Sequence, residues 1–444
     1  MKRKIYQELV KWKTESNGRT AMLIEGARRV GKSYIAEEFA RNNYKSYILI
    51  NFDEKSESYK QMFDDLSDIP LLLQTISKIE HVKLYERESL IIFDEVQKCA
   101  RAREAIKFLV KDGRYDYLET GSLISIKENV KNITIPSEEE QLSMFPLDFE
   151  EFCWAMGDET TIPTIREHFE SLIPLGNELH KSIMTQFRKY MLVGGMPQAV
   201  AEYANTQDFE KTEKQKRLIL NIYRQDIAKR ANQSNMRKTI ALFDKIPSEL
   251  NKHDKSLVPT HIDPNSRMSQ FEDPLYWLSD SYICNICQKT TAPNIGLNLN
   301  TEDEKVKCYM GDTGLLISLS INDNETIEYD IYSALLTDKL HYNEGMFAEN
   351  IVSQALRFNK HKLFYYTFYT EGSKNLQEID FLIRRGRKIC PIEVKSGRSN
   401  LHASLDKLMS MYSKSLGQAY VLHPRDIKKD GNVIYIPLYM AICL

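Results

Sequence analysis

The run Gly26-Ala27-Arg28-Arg29-Val30-Gly31-Lys32-Ser33 satisfies every fixed position of G-x-x-x-x-G-K-[ST]. Its chemistry is the cradling of nucleotide phosphates, and ATP is the expected ligand. Gly26 and Gly31 let backbone N–H groups close around phosphate oxygens, with Ala27, Arg28, Arg29 and Val30 lining the loop. Lys32 brings charge to the β- and γ-phosphates, and Ser33 offers a hydroxyl to Mg²⁺. The metal needs a further ligand, and Leu90-Ile91-Ile92-Phe93-Asp94-Glu95 is an apolar strand ending in two acids. Asp94 would hold Mg²⁺ through water, and Glu95 is placed to polarise the attacking water. Tyr117 to Ser122 reads as a strand lying between these two, which puts Thr120 or Ser122 near the γ-phosphate; Thr-Gly-Ser is also ordinary turn chemistry.

A second constellation lies near the C-terminus. Asp380 sits in an alternating strand, Glu378 to Ile383, and Arg384-Arg385-Gly386-Arg387-Lys388 turns the chain into Ile389 to Lys395. Such a hairpin places Asp380 near Glu393, with Glu393 and Lys395 on one face and Ile392 and Val394 on the other. Metal-dependent phosphodiester hydrolysis needs this set: Asp380 and Glu393 to hold Mg²⁺, and Lys395 to steady the attacking water. Glu349 shares a helix face with Val352 and Leu356 and is a further metal candidate, since an acid on an apolar face needs a partner or a metal. The plain alternative is a hairpin with a Glu-x-Lys salt bridge. Arg384 to Lys388 is either a phosphate contact or a polar hairpin tip.

These residues need elements to hold them. Ala21 to Glu25 reads as the strand before the phosphate loop and Ser33 to Arg41 as the helix after it, the order that phosphate binding requires. Tyr47 to Phe52 is a further strand, so residues 1–155 read as an α/β parallel sheet, the ATPase core. Residues 156–250 are almost wholly helical, a lid or adaptor, with a helix broken at Gly194-Gly195-Met196-Pro197. Residues 251–330 read as a small helical domain, a winged helix or plain bundle, ending in a polar linker. Residues 331–444 form the last domain.

At 444 residues two or three domains are expected. Sixty basic against 62 acidic side chains, net charge -2, argue against wholesale coating of nucleic acid but leave room for a local basic surface. No segment has the apolar length to cross a bilayer, and Met1-Lys2-Arg3-Lys4 lacks a signal-peptide core, so a cytoplasmic location is the expectation. Seven scattered cysteines read as reduced thiols; Cys284-Asn285-Ile286-Cys287 has the spacing of half a zinc site in helical-looking surroundings, without its partner pair.

The Asp, then Glu-x-Lys hairpin with an upstream helical Glu resembles the PD-(D/E)xK nuclease fold, with Ile379 where that family often shows proline. Joined to the N-terminal phosphate loop, the chain is similar to a bacterial and archaeal group of AAA-type ATPases carrying a nuclease-like C-terminal domain. Pro146-Leu147-x-Phe149-x-Glu151-Phe152, Gly194-Gly195-Met196-Pro197, Asp312-Thr313-Gly314-Leu315 and Ile392-Glu393-Val394-Lys395 support the likeness in the right order. It implies a P-loop sheet, a central helical region and a restriction-endonuclease-like α/β domain. The function implied is a Mg·ATP-binding ATPase whose nucleotide state controls a nuclease-like domain acting on nucleic acid, DNA rather than RNA. The alternative is an ATP-dependent switch or DNA remodeller whose C-terminal domain binds nucleic acid or protein without cleaving. A homo-oligomer or protein partner fits either reading, because such ATPases often take an arginine from a neighbour. Arg101, Arg103, Arg114, Arg188 and Arg224 are the candidates within the chain.

Overall fold

The computed structural model describes residues 1–121, 137–230, 233–321, 332, 336, 344–370, 375–397 and 402–444. Two compact units divide at Phe145 and Pro146. The first therefore ends about ten residues before the expected boundary at 155. Among the described residues no helix is long and apolar enough to cross a membrane.

The first unit is built on a parallel sheet. Its strands are β1 (Ala21–Gly26), β2 (Ser46–Asn51), β3 (Ser89–Asp94), β4 (Asp116–Gly121) and β5 (Glu139–Met144), in the order β2-β3-β4-β1-β5. Central strands of a parallel sheet are covered on both faces, and β1, β3 and β4 are buried along their whole length. Phe52, Phe63 and Phe93 interlock edge to face at 5.6 Å to close one side of the core. The third strand does lie between β3 and β1, so all three strand ends open at one pole.

The second unit is a helical region leading into a mixed sheet. Helices Phe149–Ala155, Asn177–Val193, Pro197–Thr206 and Phe209–Arg230 precede β6 (Cys284–Thr290), β7 (Thr301–Met310), β8 (Leu363–Tyr369), β9 (Leu376–Arg385), β10 (Lys388–Val394), β11 (Ala419–His423), β12 (Lys428–Asp430) and β13 (Val433–Pro437). Their order is β12-β13-β11-β10-β9-β8-β6-β7. Residues 284–310, expected to belong to a separate helical domain, instead supply two strands of this sheet. Cys284 and Cys287 accordingly lie on β6 rather than a helix, and with Cys308 on β7 they are buried free thiols. Lys307 to Met310 reads from sequence as a strand entering a tight turn and is the end of β7; the polar run Thr301 to Lys305 before it gives no such signal.

Three of the short motifs meet in one knot. Gly195 N–H donates to Asp312 Oδ2 at 2.6 Å, and Leu147 N–H donates to Gly195 O at 2.6 Å. Asp312 also caps the helix Thr313–Ser320 through Leu315 N–H at 2.9 Å. A Cβ on Gly195 would stand 2.1 Å from Leu147 O, and one on Gly194 2.3 Å from Asp312 Oδ1. Glycine is required at both by close approach of backbone and carboxylate.

Candidate functional site

The phosphate loop leaves the carboxyl end of β1. Gly26 packs against β5, where a Cβ would meet Met144 O at 2.2 Å. Ala27 and Val30 are buried, while Arg28 and Arg29 are exposed on the tip, Arg29 with φ 71°. Gly31, at φ 96°, caps the helix Lys32–Asn43, and the first turn of a helix is a ready site for phosphate oxygens. Lys32 is buried, and its Nζ donates to Gly26 O at 3.0 Å and Ala27 O at 3.1 Å, so the ammonium is held over the loop. Arg3, which the sequence passed over as part of a charged N-terminus, braces the loop from behind. Its guanidinium donates to Val30 O at 3.0 Å and Phe145 O at 2.7 Å.

Asp94 ends β3 and is buried. Its Oδ1 accepts from Ser33 Oγ at 2.7 Å and from Thr120 Oγ on β4. Three segments are thus brought to one carboxylate oxygen: the loop, the acid strand and the strand between them. Glu95 follows at φ 52°, accepts from Gln97 Nε2, and donates its backbone N–H to Thr120 Oγ at 3.4 Å. A hydroxyl and a carboxylate oxygen are hard ligands suited to Mg²⁺ beside nucleotide phosphates, so Ser33 and Asp94 fit that ion. Ser122 lies outside the described residues.

Of the arginines considered for the γ-phosphate, Arg103 is fully buried between Glu119 Oε2 at 3.0 Å and Glu139 Oε2 at 2.6 Å. Burial raises the Glu119 carboxyl well above its ordinary value, and the Arg103 charge opposes this only in part. Arg101 pairs with Glu104, Arg114 with Asp112 and Arg224 with Asp244.

The C-terminal residues gather differently from the expectation. Glu349 is buried on the helix Glu344–Phe358, with Oε2 accepting from Tyr309 OH at 3.0 Å and Oε1 from Lys255 Nζ. Asp380 falls in a bulge of β9: Phe364 pairs with Leu382 but Tyr366 with Ile379, so Tyr365 alone faces Asp380 and Phe381. Its Oδ2 accepts from Val394 N–H at 2.7 Å. Burial, then the neighbouring Glu349, push its carboxyl up to about 7, with Lys307 pulling the other way. Lys307 Nζ lies 2.5 Å from Glu378, and although burial works against its charge, Glu378, Glu349 and Asp380 hold it above the ordinary lysine value. Three carboxylates therefore surround two ammonium groups. Glu393 is one step beyond the Phe381–Ile392 pair on β10, yet its Oε1 is 2.5 Å from Lys395 Nζ, and among the described residues its buried Oε2 has no hydrogen-bond partner. Lys255 pairs with Glu349, Lys307 with Glu378 and Lys395 with Glu393, so three of these carboxylates are met by ammonium groups. Among the described residues no three His, Cys, Asp or Glu side chains are disposed to hold a metal ion. Lys255, Lys307, Tyr309 and Glu378 were not singled out from the sequence; nothing in their local spacing marks them.

Residues 18–153 match the AAA domain family, and the first unit is an AAA-type P-loop ATPase domain. Residues 184–326 and 344–440 match two domains of unknown function, DUF8612 and DUF4143. No curated protein matches the chain significantly. Among solved structures, a Walker-type ATPase of Pyrococcus abyssi is 14% identical over 72% of this chain and 95% of its own, with TM-score 0.43. The ORC1 protein of Aeropyrum pernix in complex with DNA is 8% identical over 71% of this chain and 91% of its own, with TM-score 0.25. A signal-transduction ATPase with a tetratricopeptide repeat sensor, from Pyrococcus horikoshii, is 13% identical over 81% of this chain and 45% of its own, with TM-score 0.28. At such TM-scores the likeness extends to neither substrate nor partner.

Proposed function

We propose that the first unit binds Mg·ATP at Gly26–Ser33 and hydrolyses it, and that its nucleotide state governs a C-terminal unit that binds nucleic acid or protein without cutting it. The observation that carries the ATP half is the convergence of Ser33 and Thr120 on one oxygen of Asp94. Ser33 and Asp94 would hold Mg²⁺, which would supply charge to offset that of the phosphates. Lys32, already held above the loop carbonyls, orients the β- and γ-phosphates, and the first-turn N–H groups of Lys32–Asn43 bind their oxygens. Glu95 is the base for the attacking water, with Gln97 fixing its carboxylate. Thr120 ties the acid strand to its neighbour, a means of reporting loss of the γ-phosphate.

The test is ATP turnover by the full chain, with and without DNA, beside Lys32→Ala. Loss of turnover with unchanged circular dichroism is expected; unchanged hydrolysis refutes the site.

The non-cleaving half rests on the ammonium groups of Lys255 and Lys307 among Glu349, Glu378 and Asp380. A nuclease of the kind the hairpin resembles would need those acids for a divalent cation. No Mg²⁺-dependent cleavage of DNA or RNA is expected, nor any Mn²⁺ binding by paramagnetic resonance in a Lys32→Ala, Ser33→Ala background. Cleavage that Asp380→Asn and Glu393→Ala both abolish would restore the nuclease reading. The turn Arg384 to Lys388 is the proposed phosphate contact of the binding module.

A further inference from the structure

We infer that the ATPase unit carries a second anion site, a basic pocket at the pole of its sheet away from the phosphate loop, and that its ligand is a nucleic-acid phosphate backbone. Beyond the reading above, it concerns residues with no part in ATP chemistry or in the C-terminal hairpin.

The pocket encloses about 670 Å³ and opens broadly to solvent. Its walls are the chain entering β1 (Gly18, Arg19), the chain entering β3 (Arg87), the helix Ala100–Asp112 (Lys107, Lys111) and the residue before β5 (Glu138). All but the helix lead into strands at their amino ends, whereas Gly26 and Asp94 stand at carboxyl ends. Four cations thus face one acid.

Two of the cations are fixed in place. Arg87 lies 2.8 Å from the buried Asp116, and its Nη1 would be 2.1 Å from a Cβ on Gly18, so the guanidinium is flat against that glycine's backbone. Arg19 donates to Ser16 O at 3.0 Å and Glu15 O at 2.8 Å. Lys107 and Lys111 are one turn apart on the exposed helix face, and among the described residues neither has an ion-pair partner. Like charges at that spacing repel. The helix dipole explains a lysine near a C-terminus. It does not explain why two arginines from other segments join it around one cavity. Planar guanidinium groups match phosphate oxygens in pairs, and an open trough with charges along it suits a strand passing through rather than an enclosed small molecule.

The pocket also has a route to the ATP site. The helix Ala100–Asp112 follows Asp94 and Glu95 after one short 3-10 turn, Val96–Lys98, and its Arg103 grips Glu119, the residue before Thr120. A ligand that pulls on Lys107 and Lys111 therefore loads the helix that adjoins Asp94 and Thr120. Stimulation of ATP turnover by the ligand follows, and that part alone rests on the ATPase reading.

The test uses the full chain and a fluorescein-labelled oligodeoxynucleotide of about 20 nucleotides, with anisotropy followed across a salt series. Lys107→Glu with Lys111→Glu is expected to weaken binding at least about tenfold and to lower the salt slope by about 1 to 2, and Lys107→Ala with Lys111→Ala by less. Basal ATP turnover and circular dichroism should not change in either. Inorganic tripolyphosphate should displace the oligonucleotide, and polyglutamate should not. Wild-type affinity in the charge-reversed variant overturns the inference, as does an absence of binding. If Arg384→Ala with Arg387→Ala alone removes binding, this pocket fails and the C-terminal reading stands. Displacement by polyglutamate but not tripolyphosphate would overturn phosphate in favour of an acidic protein segment.

Discussion

Replacing Asp380 by asparagine tests the charge balance inside the second unit. Glu349, Glu378 and Asp380 face Lys255 and Lys307, three negative groups against two positive. The simplest way to neutralise the excess is a proton, and Asp380, pushed up to about 7, carries it. A raised acid holds its proton in the folded chain while the unfolded chain has released it. The associated stability is full below the unfolded value near 4 and is lost as pH rises through 7. A rise from 3.8 to about 7 corresponds to about 4 kcal/mol at most, of which about 2 to 3 kcal/mol falls between pH 5 and 8. Asparagine keeps an acceptor for Val394 N–H and has no proton to lose. Asp380→Asn should therefore gain on the parent steadily over that range, and other titrating groups cancel in the difference. Trp154 and Trp277 lie in the second unit, so urea unfolding followed by their fluorescence, with Trp12 changed to Phe in both proteins, reads that unit. A difference between the two proteins that is flat from pH 5 to 8 would refute the shared-proton account.

Other expectations follow from single contacts. His423 is buried, and burial first, then Arg425 and His180, lower its ring to about 4. Its contribution is present above the ordinary value of 6.5 and is lost as pH falls through 4, about 3 kcal/mol at most; His423→Gln should flatten that acid limb in the same unfolding assay. Arg103→Met strands Glu119 and Glu139 in the first unit, and a loss of about 3 to 5 kcal/mol is expected by calorimetry. An unchanged melting transition would show that the pair is not what ties β4 and β5 to the helix. Gly195→Ala puts a methyl group against Leu147 O and should leave little folded second unit, as judged by proteolysis, while Gly157→Ala, with open space around it, should resist digestion better.

The phosphate loop, its strand and helix, and Asp94-Glu95 were all legible because each rests on neighbours in sequence: glycines at fixed offsets, an apolar run, an acid at its end. The hairpin of β9 and β10 was legible for the same reason, since a tight turn joins its strands. The helical reading of 251–330 failed at β6 and the start of β7, which are recognisable only by their partners; only the end of β7, from Lys307, reads as a strand. β6 pairs in parallel with β8, more than 70 positions away, and no local pattern announces such a crossover.

The sequence by itself determined that this chain has an ATP loop, because that chemistry is written within eight consecutive residues and backbone geometry does the rest. Tertiary structure decided what the C-terminal acids face. The same Glu349 and Asp380 that suit a metal when read along the chain meet Lys255 and Lys307, brought in by the loop that follows the helix Gln233–Leu250 and by β7. A buried charge is settled by whatever opposite charge the fold delivers to it, and sequence spacing carries no record of that.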